Sequence, residues 1–236
     1  MQLFFNPNIS KSSKDIVFDK EESKHISKVL RKQEGDLLNL TNGKGLFFDV
    51  ELILASPKHC LAKVIAIKEQ SSLPYNLHLA VAPTKLNDRY EWFLEKATEI
   101  GVSEITPIFC DHSERKVIKH DRFEKKILSA MKQSLKAYLP ILNPAKSLKE
   151  FIKEQEINDN LKLIAHCEDT KKQSLKGVLT PKQSVILLIG PEGDFSHNEI
   201  SLALKHGFNP VSLGESRLRT ETAAVVACHS VAFVNE

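Results

Sequence analysis

The chain has 236 residues, 42% hydrophobic and 27% charged, which excludes a disordered or fibrous protein and allows one large domain or two modest ones. The formal charge of +3 is a small excess of 33 Lys and Arg over 30 Asp and Glu. It excludes neither a nucleic-acid nor a small-molecule partner, so the placement of the charges says more than their sum.

Residues 1–7 carry no basic lead and no full apolar run, so no signal peptide is expected. Residues 21–32 read as a helix, with Ile26, Val29 and Leu30 on one face and Lys24, Lys28, Arg31 and Lys32 on another. Residues 37–41, 46–55 and 60–67 are apolar or alternating runs separated by short turns, which favours antiparallel strands. The polar segment 69–74 ends in Pro74 and marks the boundary between a domain of residues 1–72 and one of residues 73–236.

Beyond the boundary the pattern changes. Residues 77–82 read as a buried strand, 88–100 as a helix stopped by Gly101, and 104–109 as a strand. Helices are expected at 121–138, before Pro140, and at 148–155, then strands at 161–165 and 185–189. A helix follows at 196–206, where Ser196 and Glu199 have capping-box spacing, then a strand at 210–213 and a last helix at 220–234. Strands alternating with helices predict an α/β fold, a parallel sheet with helices on both faces. The longest apolar stretch, 223–234, is interrupted by His229 and Ser230 and falls short of the ~20 residues a spanning helix needs, so no membrane is expected.

In such sheets ligands bind beyond the carboxyl ends of strands. Two loops leave strands in this way: residues 189–196, with Gly190 and Gly193, and residues 213–222, which run into the last helix. Neither a dinucleotide fingerprint nor a P-loop is present, so a phosphate-cradling site is poorly supported. His166, His197 and His229 are scattered and read as structural or solvated. Cys60, Cys110, Cys167 and Cys228 stand far apart and no Cys or His pair has zinc-ligand spacing, so no metal is expected, and reduced thiols fit a cytoplasmic location. Arg115, Lys116, Lys119, His120, Arg122, Lys125, Lys126, Lys132 and Lys136 crowd one segment. With the Lys24/Lys28/Arg31/Lys32 stripe this makes two basic clusters, the kind that phosphate neutralisation needs.

The two loops also carry a resemblance. Gly190-Pro191-Glu192-Gly193 and Phe195-Ser196, followed by Leu213-Gly214 and Leu218-Arg219-Thr220-Glu221-Thr222-Ala223, closely resemble motifs of the ribosomal small-subunit methyltransferase E family, which are SPOUT-class RNA methyltransferases. Val29-Leu30-Arg31 with Gly35-Asp36 resembles its N-terminal signature. Lys85, Asp88-Arg89, Glu91, Lys96-Ala97-Thr98-Glu99, Gly101-Val102, Ile105 and Pro107 resemble its central signature, and Gln133-Ser134 with Pro140 a third. The motifs occur in order and span nearly the whole chain.

The resemblance implies a PUA-like β-barrel that holds RNA over residues 1–72 and a SPOUT domain with a trefoil knot over residues 73–236. It implies a homodimer that uses S-adenosylmethionine to methylate N3 of a specific uridine in the decoding region of 16S rRNA in the 30S subunit. Leu188, Ile189, Gly190, Glu192, Gly193, Leu213, Gly214, Leu218, Thr220, Thr222 and Ala223 are the expected cofactor-binding residues. Arg219 is expected to stabilise negative charge on a uracil oxygen and Glu221 to accept the N3 proton, the alternative for Glu221 being a carboxylate that only meets the helix dipole. Lys24, Lys28, Arg31, Arg115, Arg122 and Lys136 are expected to bind RNA phosphates. The chain departs from the family pattern at Asp194, where a second glycine is usual, at Ser216-Arg217, and at Lys136, where arginine is usual. Two rivals stay open: an RNA-binding or ribosome-assembly factor that has lost catalysis, and a SPOUT methyltransferase acting on another RNA.

Overall fold

Alternating side chains build the first sheet. The computed structural model describes residues 2–155 and 159–236; Met1, where the segment read for a leader begins, lies outside them, as do residues 156–158 of the expected second domain. Strands β1 (Leu3–Phe5), β2 (Asp15–Val17), β3 (Leu37–Thr41), β4 (Leu46–Ser56) and β5 (His59–Glu69) form a five-stranded sheet in the order β1-β3-β4-β5-β2. The pairs β3–β4, β4–β5 and β5–β2 are antiparallel, as short turns require, and β1 joins β3 in parallel. In β4, Leu46, Phe48, Val50 and Leu52 are buried while Glu51 and Ile53 face out. Phe4, Phe18, Ile26, Leu40 and Cys60 close this core.

The expected helix over 21–32 is corrected. Asp19 caps α1 (Lys20–Lys24) by accepting the Glu22 N–H at 2.8 Å, but α1 then passes into a π-helical turn, His25–Val29. The wider turn changes which side chains share a face. Ile26 is fully buried, whereas Val29, expected beside it, is 65% exposed. Arg31 lies beyond the helix with φ at 54°, so the basic residues are not one helical stripe. Lys24, Lys28 and Arg31 are nevertheless all exposed.

The chain divides into two compact units, Met1–Ser72 with Met131–Leu139, and Leu73–Ala130 with Pro140–Glu236. In the first, Gly45 N–H donates to the Ala137 carbonyl at 2.8 Å and Leu139 N–H to that of Gly43 at 2.9 Å. Gly45 has φ of 95°, and a Cβ there would meet the Tyr138 hydroxyl oxygen at 2.5 Å.

The second unit holds β6 (Leu77–Val81), α2 (Asn87–Ile100), β7 (Glu104–Phe109), the start of α3 (His120–Gln133), β8 (Ile141–Leu142), β9 (Lys146–Ser147), α4 (Leu148–Glu154) and β10 (Leu161–Ala165). It continues through β11 (Gln173–Ser174), α5 (Leu175–Val178), β12 (Val185–Ile189), α6 (His197–Lys205), β13 (Asn209–Ser212) and α7 (Thr220–Val234). The strands run in the order β11-β13-β10-β12-β6-β7-β8, with β9 on β7, and every pair is parallel, as expected. All residues of β6 and β12 are buried, which is why they read as unbroken apolar runs. Ala80, Ile186 and Leu188 pack under α4 and α6 through Phe151, Ile200 and Ala203. The alternate residues face the other way, where α7 packs on β6, β12 and α2. Ser196 and Glu199 form the expected capping box on α6. The helix expected over 121–138 ends earlier, at Gln133, because Leu135 adopts φ of 54° and Lys136 N–H closes on the Met131 carbonyl at 3.1 Å. Among the described residues no helix is long and apolar enough to cross a membrane.

His78 in β6 is buried. Its Nε2 lies 2.7 Å from the Thr106 hydroxyl and its ring meets Phe151 edge to face at 5.1 Å. Burial holds its pKa below the usual 6.5, against the pull of Glu104 and with help from Lys146. The unfolded chain then takes up this proton at a higher pH than the folded one. The contribution is therefore whole above about pH 6.5 and is lost as pH falls below it. Thermal melts of wild type should show Tm falling below that pH, and His78→Gln, which cannot charge, should show a shallower fall.

Candidate functional site

Beyond β12 the chain turns sharply through Gly190, Pro191, Glu192, Gly193 and Asp194. Gly190 leaves little room for a side chain: a Cβ would crowd the ring of the core residue Phe195 at 3.1 Å. Asp194 has φ of 63°, which aspartate tolerates better than most residues. Its carboxylate accepts the Cys167 N–H at 2.7 Å and the Phe195 N–H at 2.9 Å, so it ties the turn to the end of β10. Glu192 accepts the Lys85 N–H at 2.9 Å, and His112 Nδ1 lies 3.0 Å from the carbonyls of Gly193 and Asp194. The aspartate thus restrains this loop by adding bonds to it.

Beyond β13, Gly214 takes φ of 134° and lets the chain swing towards α7. Arg219 is the N-cap of α7; its guanidinium, which has donors only, cannot cap the helix N–H groups, and its side chain is exposed. The next residue joins the loops: the buried Thr220 hydroxyl donates to the Gly190 carbonyl at 3.0 Å.

The ends of β10, β12 and β13 open into a cleft of about 450 Å³, lined by Ala165, His166, Cys167, Lys172, Ile189, Leu213, Gly214, Arg217, Leu218 and Ala223, among others. A smaller space of about 280 Å³ shares Ala165, Cys167, Ile189, Arg217, Leu218 and Ala223 with it and adds Gly190, Glu192, Arg219 and Thr220. This is the carboxyl edge where a parallel sheet presents ligands. Eight of the residues expected at a cofactor are brought together here: Ile189, Gly190, Glu192, Leu213, Gly214, Leu218, Thr220 and Ala223. Leu188 points into the core, Gly193 sits against His112, and Thr222 lines a different cleft.

Ala165, His166 and Cys167 carry no signal in the sequence, because a strand end without glycine or charge has no local signature. His166 read as structural or solvated. It is 7% exposed, neither ring nitrogen has a hydrogen-bond partner, and burial, helped by Lys172, lowers its pKa from the usual 6.5. A neutral imidazole offers one donor and one acceptor to a ligand. Lys172 directs its ammonium at the carbonyls of His166, at 3.0 Å, and Glu168, at 2.5 Å.

A second cleft of about 600 Å³ adjoins these, sharing Arg217, Leu218 and Arg219, and is further lined by Asp88, Arg89, Trp92, Glu221 and Thr222. Both residues expected in catalysis, Arg219 and Glu221, line it. Glu221 is 7% exposed; its Oε1 lies 3.8 Å from Arg89 Nε, and its Oε2 has no hydrogen-bond partner.

The residues expected to hold RNA differ in how free they are. In the second unit, Arg115 donates to the carbonyls of Thr84 at 3.2 Å and Lys85 at 2.7 Å, and Arg122 pairs with Glu91 at 2.5 Å. Both contacts lie within the second unit, and the Arg122 side chain stays half exposed. In the first unit Lys136 is half-buried, whereas Lys24, Lys28 and Arg31 are exposed.

Comparison with known proteins bears on these clefts. Residues 71–232 match the RNA methyltransferase domain family, and residues 18–65 match the RNA methyltransferase PUA domain family. The chain is 32% identical over 220 residues to the ribosomal RNA small subunit methyltransferase E of Buchnera aphidicola from Acyrthosiphon pisum, covering 89% of this chain and 85% of that one. A probable rRNA-methyltransferase from Porphyromonas gingivalis superposes with a TM-score of 0.91 at 41% identity, over 100% of this chain and 98% of its own. The ribosomal RNA small subunit methyltransferase E of Neisseria gonorrhoeae, solved bound to S-adenosyl methionine, superposes with a TM-score of 0.85 at 26% identity, over 100% and 98%.

Removing the Thr220 hydroxyl leaves the buried Gly190 carbonyl without this partner. Thr220→Val should cost about 1–3 kcal/mol of unfolding free energy by urea titration.

Proposed function

The chain belongs to the ribosomal RNA small subunit methyltransferase E family, and from that premise we propose that it methylates N3 of a specific uridine in the decoding region of 16S rRNA, acting on the 30S subunit with S-adenosylmethionine as cofactor. The observation that carries this reading is the pair of adjoining clefts. One is built from strand ends and the loop beyond β13; the other gathers Arg89, Arg217 and Arg219 around the buried carboxylate of Glu221.

The first cleft suits an adenosine without phosphates. Its one lysine is turned onto carbonyls, and the unpartnered ring nitrogens of His166 are among its polar groups. Gly214, with nothing within 4 Å of where a Cβ would stand, lets a ligand approach the main chain. When bound, the cofactor supplies an electrophilic methyl group on a sulfonium.

The chain's own residues do the rest. Neutral uracil carries a proton on N3, and Glu221 Oε2 is the acceptor for it. Arg219 holds the negative charge that then spreads onto a uracil oxygen. Transfer from a sulfonium needs the nucleophile near and in line, a positioning effect that two clefts meeting at Arg217 and Leu218 provide. Residues 1–72 hold RNA through Lys24, Lys28 and Arg31. A trefoil knot through the two loops, a homodimer and a cytoplasmic location belong to the same proposal.

Mass spectrometry of nuclease-digested 16S rRNA from cells with and without the gene tests it: one extra methyl, on N3 of a uridine, should appear only with the gene. Identical RNA from both strains would overturn it and favour an RNA-binding factor. In single-turnover methylation of 30S subunits, Glu221→Gln and Arg219→Ala should each lose on the order of a hundredfold in rate. RNA affinity should fall with added salt, and Lys28→Ala with Arg31→Ala should reduce that slope by about 0.7 for each phosphate no longer neutralised.

A further inference from the structure

Trp92 is the one tryptophan of the chain, and it lies where no core needs it. Two other aromatic residues of α2, Tyr90 and Phe93, are at most 1% exposed, whereas Trp92 is 43% exposed. Asp88, Arg89 and Trp92 lie close enough in sequence to share one side of the first turns of α2, and all three line the cleft that holds Glu221. An exposed indole alone means little. This one shares a cleft with a buried carboxylate oxygen that lacks a partner and with the guanidinium groups of Arg89, Arg217 and Arg219.

We infer that this cleft seats a single pyrimidine base of RNA, with Trp92 as the face on which it stacks. The inference rests on the proposed methyltransferase function and adds to it the residue that holds the base. The donor set selects the base. Uracil presents an N–H between two carbonyl oxygens, which matches a carboxylate acceptor flanked by guanidinium donors. Cytosine presents an unprotonated N3 there, which would set a lone pair against Glu221. The indole gives a flat surface to any base, so stacking supplies affinity and Glu221 supplies the choice.

The single tryptophan makes the test direct, because protein-free 16S rRNA transcript contains no other indole. Titration with the transcript should quench the emission of Trp92. Trp92→Ala should raise the RNA concentration at half-maximal single-turnover rate about tenfold, and Trp92→Phe, which keeps a smaller ring, should lose less. Calorimetric affinity for S-adenosylmethionine should stay within twofold of wild type in both. Unchanged emission on RNA that binds and is methylated, or wild-type half-saturation in Trp92→Ala, would overturn the stacking role and leave the methyltransferase reading intact. Emission that changes with protein concentration alone, with no further change on adding RNA, would also overturn it and assign the indole to contact between copies of the chain. A wild-type protein that methylates neither the transcript nor 30S subunits would instead overturn the proposed function itself.

Discussion

One buried hydrogen bond, from the Thr220 hydroxyl to the Gly190 carbonyl, sets the distance between the two loops on which both clefts depend. A backbone carbonyl buried at the end of a strand needs a donor. Here it comes from the first turn of a helix that starts far along the chain. Once that bond is made, the start of α7 is fixed over the end of β12, and Ala224, Ala227 and Cys228 are buried. Packing and hydrogen bonding thus point to the same geometry. Asp194 adds a second tie, from the same turn to β10, so the ends of β10, β12 and α7 hold one another.

The two clefts divide the chemistry by polarity. The strand-end cleft is lined by main-chain groups, by a histidine whose pKa burial lowers and, at its rim, by Lys172, Glu215 and Arg217. The neighbouring cleft concentrates arginines around a carboxylate. A carboxylate as buried as Glu221 is costly unless something compensates it, and Arg89 at 3.8 Å supplies only part of that. The remaining oxygen is a group whose partner the protein does not provide. Arg219, which is exposed, lines both the ionic cleft and the smaller space beside the strand-end cleft.

Charge is used differently in the two units. Arg115, expected at RNA phosphates, donates to two carbonyls, and Arg122 forms an ion pair with Glu91 within the same unit. Guanidinium groups with several donors serve well as braces. In the first unit the π-helical turn buries Ile26 and turns Val29 outward, leaving Lys24, Lys28 and Arg31 exposed without a shared helical stripe. The net charge of +3 therefore conceals cations engaged within the fold and cations left exposed.

The sequence by itself determined the long elements and the two loops. The strands at Glu104–Phe109, Leu161–Ala165 and Val185–Ile189 and the helix at Thr220–Val234 are as their apolar runs predict, because burial on both faces or along one side marks each residue. Gly190, Gly193 and Gly214 flagged the turns, since few other residues fit there. Strands of two or three residues, such as β1, β2, β8, β9 and β11, are too short to carry a period and were not legible. Nor was the π-helical turn, whose apolar spacing passes for an ordinary helix. Only the tertiary structure decided that Ala165, His166 and Cys167 line a cleft, that Arg89 approaches Glu221, and that Trp92 faces them. The physical reason is the same in each case. Periodicity records how a segment meets the core, whereas a site joins side chains from segments that meet only after the sheet has brought their ends together.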